Sequence, residues 1–415
     1  MKNLFLSPLF IALVAAALCG TVYSTSNFKY FVFQGRRVTS IPKAEMKQSI
    51  SLTPSYTNLA ASKGRQPKVL LTEEGTVNLV FGWENTIYFK RIQLASDKLN
   101  HTAKPNSIQS DTVGPGLVAT LPEGLMLGMG RGPQLATREK NRVIAAVDKK
   151  GNLYSWRQKE NGNGWQGPFR INDRDGVAQE GFVALVAGAK GRFYAFWNDL
   201  RSGNNQIYGA VSSDQGQSWQ KSQLVYASSD TTICECCKVS ATTDQNGNVY
   251  LMWRNQLNGY RDMYILTLDQ NLKSKTEASK LGNGSWQLKG CPMDGGNLTV
   301  TPSGKVITVW RRESKLYSCQ PGKTEKLLAD GRNPVIAATD KMTAIAWNTG
   351  QQIFYQWIDE KGDKQKSEKQ TQAVTIGNGI YPSLATNGQQ TVVCWESVNG
   401  EILYQSLPTG KNQLY

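Results

Sequence analysis

Histidine is almost missing from this chain. Its 415 residues contain one, His101, set in the polar stretch Asp97-Lys-Leu-Asn-His-Thr-Ala-Lys. A Ser-His-Asp triad, a two-histidine zinc site and a histidine pH switch all need imidazoles that this sequence does not supply. Acid–base chemistry must fall to carboxylates, tyrosines, lysines or thiols. Acidic residues are also short, 32 against 47 Lys and Arg, which leaves a formal charge of +15. Such a surplus favours anionic partners. No run of five or six basic residues and no nucleic-acid-binding motif accompanies it, which argues against nucleic acid and for an acidic glycan or protein ligand. No cofactor is expected.

Long apolar runs are lacking too, apart from the first. Lys2 precedes an uncharged stretch from Leu4 to about Val22 that carries Ala15-Ala16-Ala17. Residues 1–22 read as a secretory signal or a retained membrane anchor, followed by a linker over 23–44. Either places the remainder outside the cytoplasm: periplasmic, on the cell surface or secreted.

Glycine (39) and aromatic residues (16 Tyr, 11 Trp, 12 Phe) are plentiful, and they fall in a repeat. Short apolar runs alternate with turns; the second run of a unit often ends in Trp and the third contains Tyr. Val77-Asn-Leu-Val-Phe-Gly-Trp83 before Thr86-Ile-Tyr is one instance, and Trp197, Trp253, Trp310, Trp347 and Trp395 mark others. Runs of 4–7 residues punctuated by Gly, Asn and Asp are strands, and repeats about 50 residues apart are propeller blades. The expected fold is all-β: a β-propeller over 45–415, seven-bladed with six as the alternative. The recurring Trp would fill the space between blades. The last unit lacks an outer strand near Leu407, and Met46–Thr53 is expected to supply it and close the ring.

One turn is more specific. Ser212-Ser-Asp214-Gln-Gly216-Gln-Ser218-Trp219 fits the Asp-box pattern Ser/Thr-x-Asp-x-Gly-x-Ser/Thr-Trp. On this motif and the repeat, the chain resembles the sialidase-like, Asp-box (BNR-repeat) propeller superfamily. Phe196-Trp-Asn-Asp-Leu-Arg201, Cys234-Glu-Cys-Cys237 and Gly290-Cys-Pro-Met-Asp-Gly-Gly296 further resemble its exported bacterial members.

In a propeller, the loops leading into the innermost strands open on the axial mouth. Here they offer Arg65, Arg131, Glu180, Cys236 with Cys237, Asp294, Arg332 and Tyr381. The resemblance implies roles for them. Arg131, Arg332 and Arg254 would clamp a substrate carboxylate, Tyr381 would attack with Glu180 as its base, and Asp294 would act as acid and base. The aromatic-Arg-Ile-Pro motif of sialidases is replaced by Phe169-Arg-Ile-Asn172. Binding of an anionic ligand at the mouth therefore stands beside hydrolysis as a reading.

Cys234, Cys236, Cys237 and Cys291 form a second constellation. Exported thiols oxidise, so Cys291 is expected to bridge to one of the trio, with Cys236 or Cys237 nearest in sequence to the strand start. The alternative is a thiolate site for Cu(I), with Met293 and Met252 as thioether neighbours. Cys319 and Cys394 read as buried thiols.

Overall fold

A computed structural model describes residues 57–94, 114–359 and 372–407. All of them lie in one compact unit, Ser49–Tyr415. Their extended structure is β throughout: seven four-stranded antiparallel sheets. The innermost strands are β2 (Arg65–Leu71), β6 (Gln134–Arg138), β10 (Val183–Ala187), β14 (Ser240–Thr243), β18 (Asn297–Val300), β22 (Arg332–Ala338) and β26 (Ile380–Thr386). They follow one another around an axis, and β26 returns to β2. The fold is a seven-bladed β-propeller, and the six-bladed alternative falls.

Six blades are consecutive in sequence. The seventh takes its outer strand from the start of the domain. β1 (Asn58–Ala61) pairs antiparallel with β28 (Ile402–Leu407), Asn58 opposite Tyr404 and Leu59 opposite Leu403. The place expected for Met46–Thr53 is thus taken by Asn58–Ala61; Met46–Thr53 lies outside the described residues, as does the leader 1–22. Among the described residues, no helix is long and apolar enough to cross a membrane.

Blades hold together through apolar seams. Each pair of neighbouring sheets encloses its own buried cluster, and seven such clusters complete the circle. The repeated tryptophan sits in the seam toward the preceding blade: Trp197 between blades two and three, Trp253 between three and four, Trp395 between six and seven. Flat rings bury much area there, and their removal leaves a void no neighbour can fill. Near the axis, side chains tie one inner strand to the next. Ser383 Oγ accepts from the Val69 N–H at 3.0 Å, and Ser240 Oγ donates to the Gly296 carbonyl at 2.7 Å.

The turn at Asp214 docks one blade on another. Asp214 Oδ1 accepts from the Ser218 N–H at 2.9 Å, while Gly216 takes a φ of +82°. A Cβ at Gly216 would lie 2.8 Å from Val143, so only glycine lets the turn approach blade two. There Ser155 Oγ donates to the Gly216 carbonyl and accepts from Trp219 Nε1, both at 2.8 Å.

Candidate functional site

A cavity lies on the propeller axis, and every blade contributes to its wall. The chain reaches it through a recurring segment. Gly64-Arg65-Gln66-Pro67, Gly130-Arg131-Gly132-Pro133 and Gly331-Arg332-Asn333-Pro334 share the order Gly-Arg-x-Pro, and Gly379-Ile380-Tyr381-Pro382 is a variant with Ile for Arg. In each non-glycine case the third residue is left-handed, with φ of +53° at Gln66, +52° at Asn333 and +53° at Tyr381. The inner-strand pairing slips at the same place, between Arg65 and Lys68, Arg332 and Val335, and Ile380 and Ser383. Bulges of this kind re-aim the chain where a strand leaves the sheet. Four contiguous blades, six through two, therefore present Arg332, Tyr381, Arg65 and Arg131 around one side of the mouth.

The structure sorts the expected site residues into three groups. Arg131, Asp294 and Tyr381 line the cavity. Arg131 stacks over Phe182 at 4.8 Å, donates through Nε to the Glu180 carbonyl and pairs through Nη2 with Glu180 Oε2 at 3.4 Å. Asp294 is buried; its Oδ2 accepts from Arg311 Nε at 2.7 Å and from the Asn333 N–H at 3.3 Å, while Oδ1 has no partner. Arg332 is exposed at the rim, its Nη2 donating to the Pro292 carbonyl at 3.3 Å.

Arg254 is different. It is fully buried, and its nitrogens donate to three carbonyls: Asp294 at 3.2 Å, Arg261 at 2.7 Å and Arg311 at 2.7 Å. A guanidinium so placed braces the surrounding backbone and lies outside the cavity wall, out of reach for a two-pronged contact with a ligand there. Its place as third arginine at the mouth falls to Arg65, whose side chain is 42% exposed.

Tyr381 and Glu180 stand on blades seven and three, as far apart as a ring of seven allows. The carboxylate near Tyr381 is instead Glu396, at the end of β27 (Thr391–Glu396). Burial raises the Tyr381 pKa, Glu396 adds to the rise, and Arg332 and Arg65 oppose it. Glu396 accepts from Arg65 Nε at 3.1 Å and from the Gln66 N–H at 3.2 Å. Glu180 has a raised pKa, mainly from burial, with Arg131 pulling it down and Glu235 adding to it.

Sequence reading passed over Glu396, Lys68 and Lys238. Both lysines line the cavity. Burial, with Lys238 adding, pushes Lys68 down to about 8, and burial also lowers Lys238 against the pull of Asp294. Among the described residues neither ammonium has a hydrogen-bond or ion-pair partner. The Gly-Arg-x-Pro repeat was the signal that locates this wall, since Lys68 follows its first copy directly.

The expected bridge from Cys291 is present, and its partner is Cys236, with Cα atoms 6.2 Å apart. It joins the loops leading into β14 and β18. Cys234 and Cys237 remain free and buried, their sulfurs 3.3 Å apart. Burial opposes the Cys237 thiolate, but the hydrogen bond from Cys234 and the Arg254 charge outweigh it and bring this thiol down to about 7; the Cys234 thiol is pushed up. Met293 packs against this cluster, whereas Met252 belongs to the seam between blades four and five.

The chain matches no family model and no curated protein. Solved structures share its fold. An ulvan lyase bound to -[GlcA(1-4)Rha3S]- superposes with a TM-score of 0.53 at 10% identity, over 85% of this chain and 96% of the other. The polysaccharide lyase Uly1 gives 0.50 at 8% identity, over 90% and 96%. The Hadza microbial sialidase Hz136 gives 0.44 at 10% identity, over 81% and 74%. At these identities the likeness is one of architecture.

Proposed function

We propose that the axial mouth binds the carboxylate of an acidic glycan. One observation carries the reading. The cavity wall holds Lys68, Lys238 and Arg131 against a single carboxylate, Asp294, already engaged by Arg311. Two half-buried ammonium groups in the wall, neither with a hydrogen-bond or ion-pair partner among the described residues, make an anion the ligand that relieves them. Arg332 and Arg65 at the rim add guanidiniums suited to a carboxylate. The choice of a glycan follows the polysaccharide lyases of like fold by analogy alone, and export rests on the sequence of residues 1–22.

Tyr381 beside Glu396, flanked by Arg332 and Arg65, favours a second reading, a sialidase-type glycoside hydrolase. Tyr381 would attack the anomeric carbon with Glu396 taking its proton, and Asp294 would serve the leaving oxygen. The raised Tyr381 pKa and the anchored Glu396 work against that chemistry, so binding comes first. Calorimetry with sialyllactose and a glucuronate oligosaccharide, with lactose as neutral control, tests binding; heat from neither acidic sugar rejects it. Release of fluorophore from a fluorogenic sialoside, abolished in Tyr381→Phe, would move the reading to hydrolysis.

A further inference from the structure

We infer that Cys234, Cys237 and Met293 form a site for one soft monovalent metal ion, Cu(I), in the wall of the axial cavity. The sulfurs of Cys234, Cys236 and Cys237 all lie within 4.8 Å of one another, and with Met293 these residues make a small cluster distinct from the seven seams. The bridge to Cys291 takes Cys236 out of play. What remains is a Cys-x-x-Cys pair of free sulfurs in contact, beside a thioether.

The donor chemistry selects the metal. Two sulfurs and a thioether, with no imidazole among the described residues and Asp294 committed to Arg311, suit a soft ion of low coordination number. Zinc would lack its fourth ligand, and calcium or magnesium would lack oxygens.

Charge points the same way. Two thiolates around a monovalent ion leave one negative charge, and the buried Arg254 guanidinium, whose field acts on both sulfurs, supplies one positive charge. Each of its three nitrogens donates to a backbone carbonyl, so it stays fixed as a counter-charge. The Asp294 backbone amide also favours the Cys237 thiolate, as outer-shell donors do at thiolate sites. Cys236 and Met293 line the cavity, so an ion can arrive through the mouth.

The other free cysteines among the described residues show what a merely buried thiol looks like here. Cys394 lies in the seam between blades seven and one and Cys319 in that between blades four and five, each among apolar side chains and without a second sulfur in hydrogen-bond contact.

Anaerobic titration of the full chain with Cu(I), its Cys236–Cys291 bridge intact, against the chelator bicinchoninate tests the site. One ion per chain should be retained. Loss of an outer-shell group costs about 10–100-fold at metal sites, so Cys234→Ser and Cys237→Ser should each weaken retention by at least about 100-fold. Met293→Leu, a change of similar volume, should weaken it by about 10-fold, and Cys319→Ser should leave it unchanged. X-ray absorption of the copper-loaded native protein needs no variant and should show a sulfur-only shell. No retained copper, a shell of nitrogen or oxygen, or isolation of native protein with Cys234 and Cys237 joined as a second disulfide that retains no copper would each overturn the inference.

Discussion

At position 68 folding has placed an ammonium group in the cavity wall near a second one, Lys238. Burial and that neighbour hold Lys68 at about 8, below its usual 10.5. Below pH 8 the folded protein carries the full penalty. Between 8 and 10.5 the unfolded chain binds more protons at this residue, so Lys68 makes stability rise with pH over that window. An acidic ligand needs the charged form. Its affinity should fall as pH climbs through 8, and Lys68→Met should lose that dependence, both measured by calorimetry on either side of pH 8. An affinity flat across that pH would remove Lys68 from the site. The arginines divide in the same manner. Arg332→Ala should weaken acidic-glycan binding with little change in melting temperature, and Arg332→Lys should recover it only in part, because an ammonium cannot make two parallel contacts. Arg254→Met should instead destabilise by about 3 kcal/mol or more by orphaning three carbonyls. Residue type alone could not separate these arginines. Arg254 ends a second strand, where its nitrogens meet backbone carbonyls of Asp294, Arg261 and Arg311, whereas Arg332 opens an inner strand within a repeated motif.

Among the elements, the seams between blades were the most legible. A large ring recurring at one point of a strand repeat has few places to go, and Trp197, Trp253 and Trp395 are buried where that logic puts them. Trp197→Ala should cost about 3–5 kcal/mol in chemical denaturation; a neutral result would mean the seam repacks. Short strands were the least legible. Asn58–Ala61 is four residues without alternation or β-branching, and only its pairing with β28 makes it a strand. The Cys236–Cys291 bridge spans 55 residues, and closing such a loop in the unfolded chain is worth about 4 kcal/mol on the entropic account. A Cys236→Ala/Cys291→Ala double variant should lose close to that amount by chemical denaturation. A loss under about 1 kcal/mol would show that strain in the folded loops offsets the gain.

For the whole molecule, closure is what turns local repeats into a site. Each blade lead-in is a few residues of loop; seven of them bring positions as distant in sequence as Lys68 and Lys238 to one wall, and Arg65 against Glu396 across 331 residues. The repeat period gives the order of the blades, and with it which lead-ins are neighbours. It does not give which side chains turn inward, because the bulges and left-handed residues at Gln66, Asn333 and Tyr381 decide that locally. Tyr381 therefore meets Glu396 of its own blade and not Glu180 three blades away. Diffraction from crystals soaked with a glucuronate-terminated oligosaccharide tests the acidic-mouth account most directly. The account predicts sugar density on the axis, with its carboxylate within hydrogen-bond reach of Arg131 or Lys68; density only on the outer rim, with the mouth holding no sugar, would contradict it.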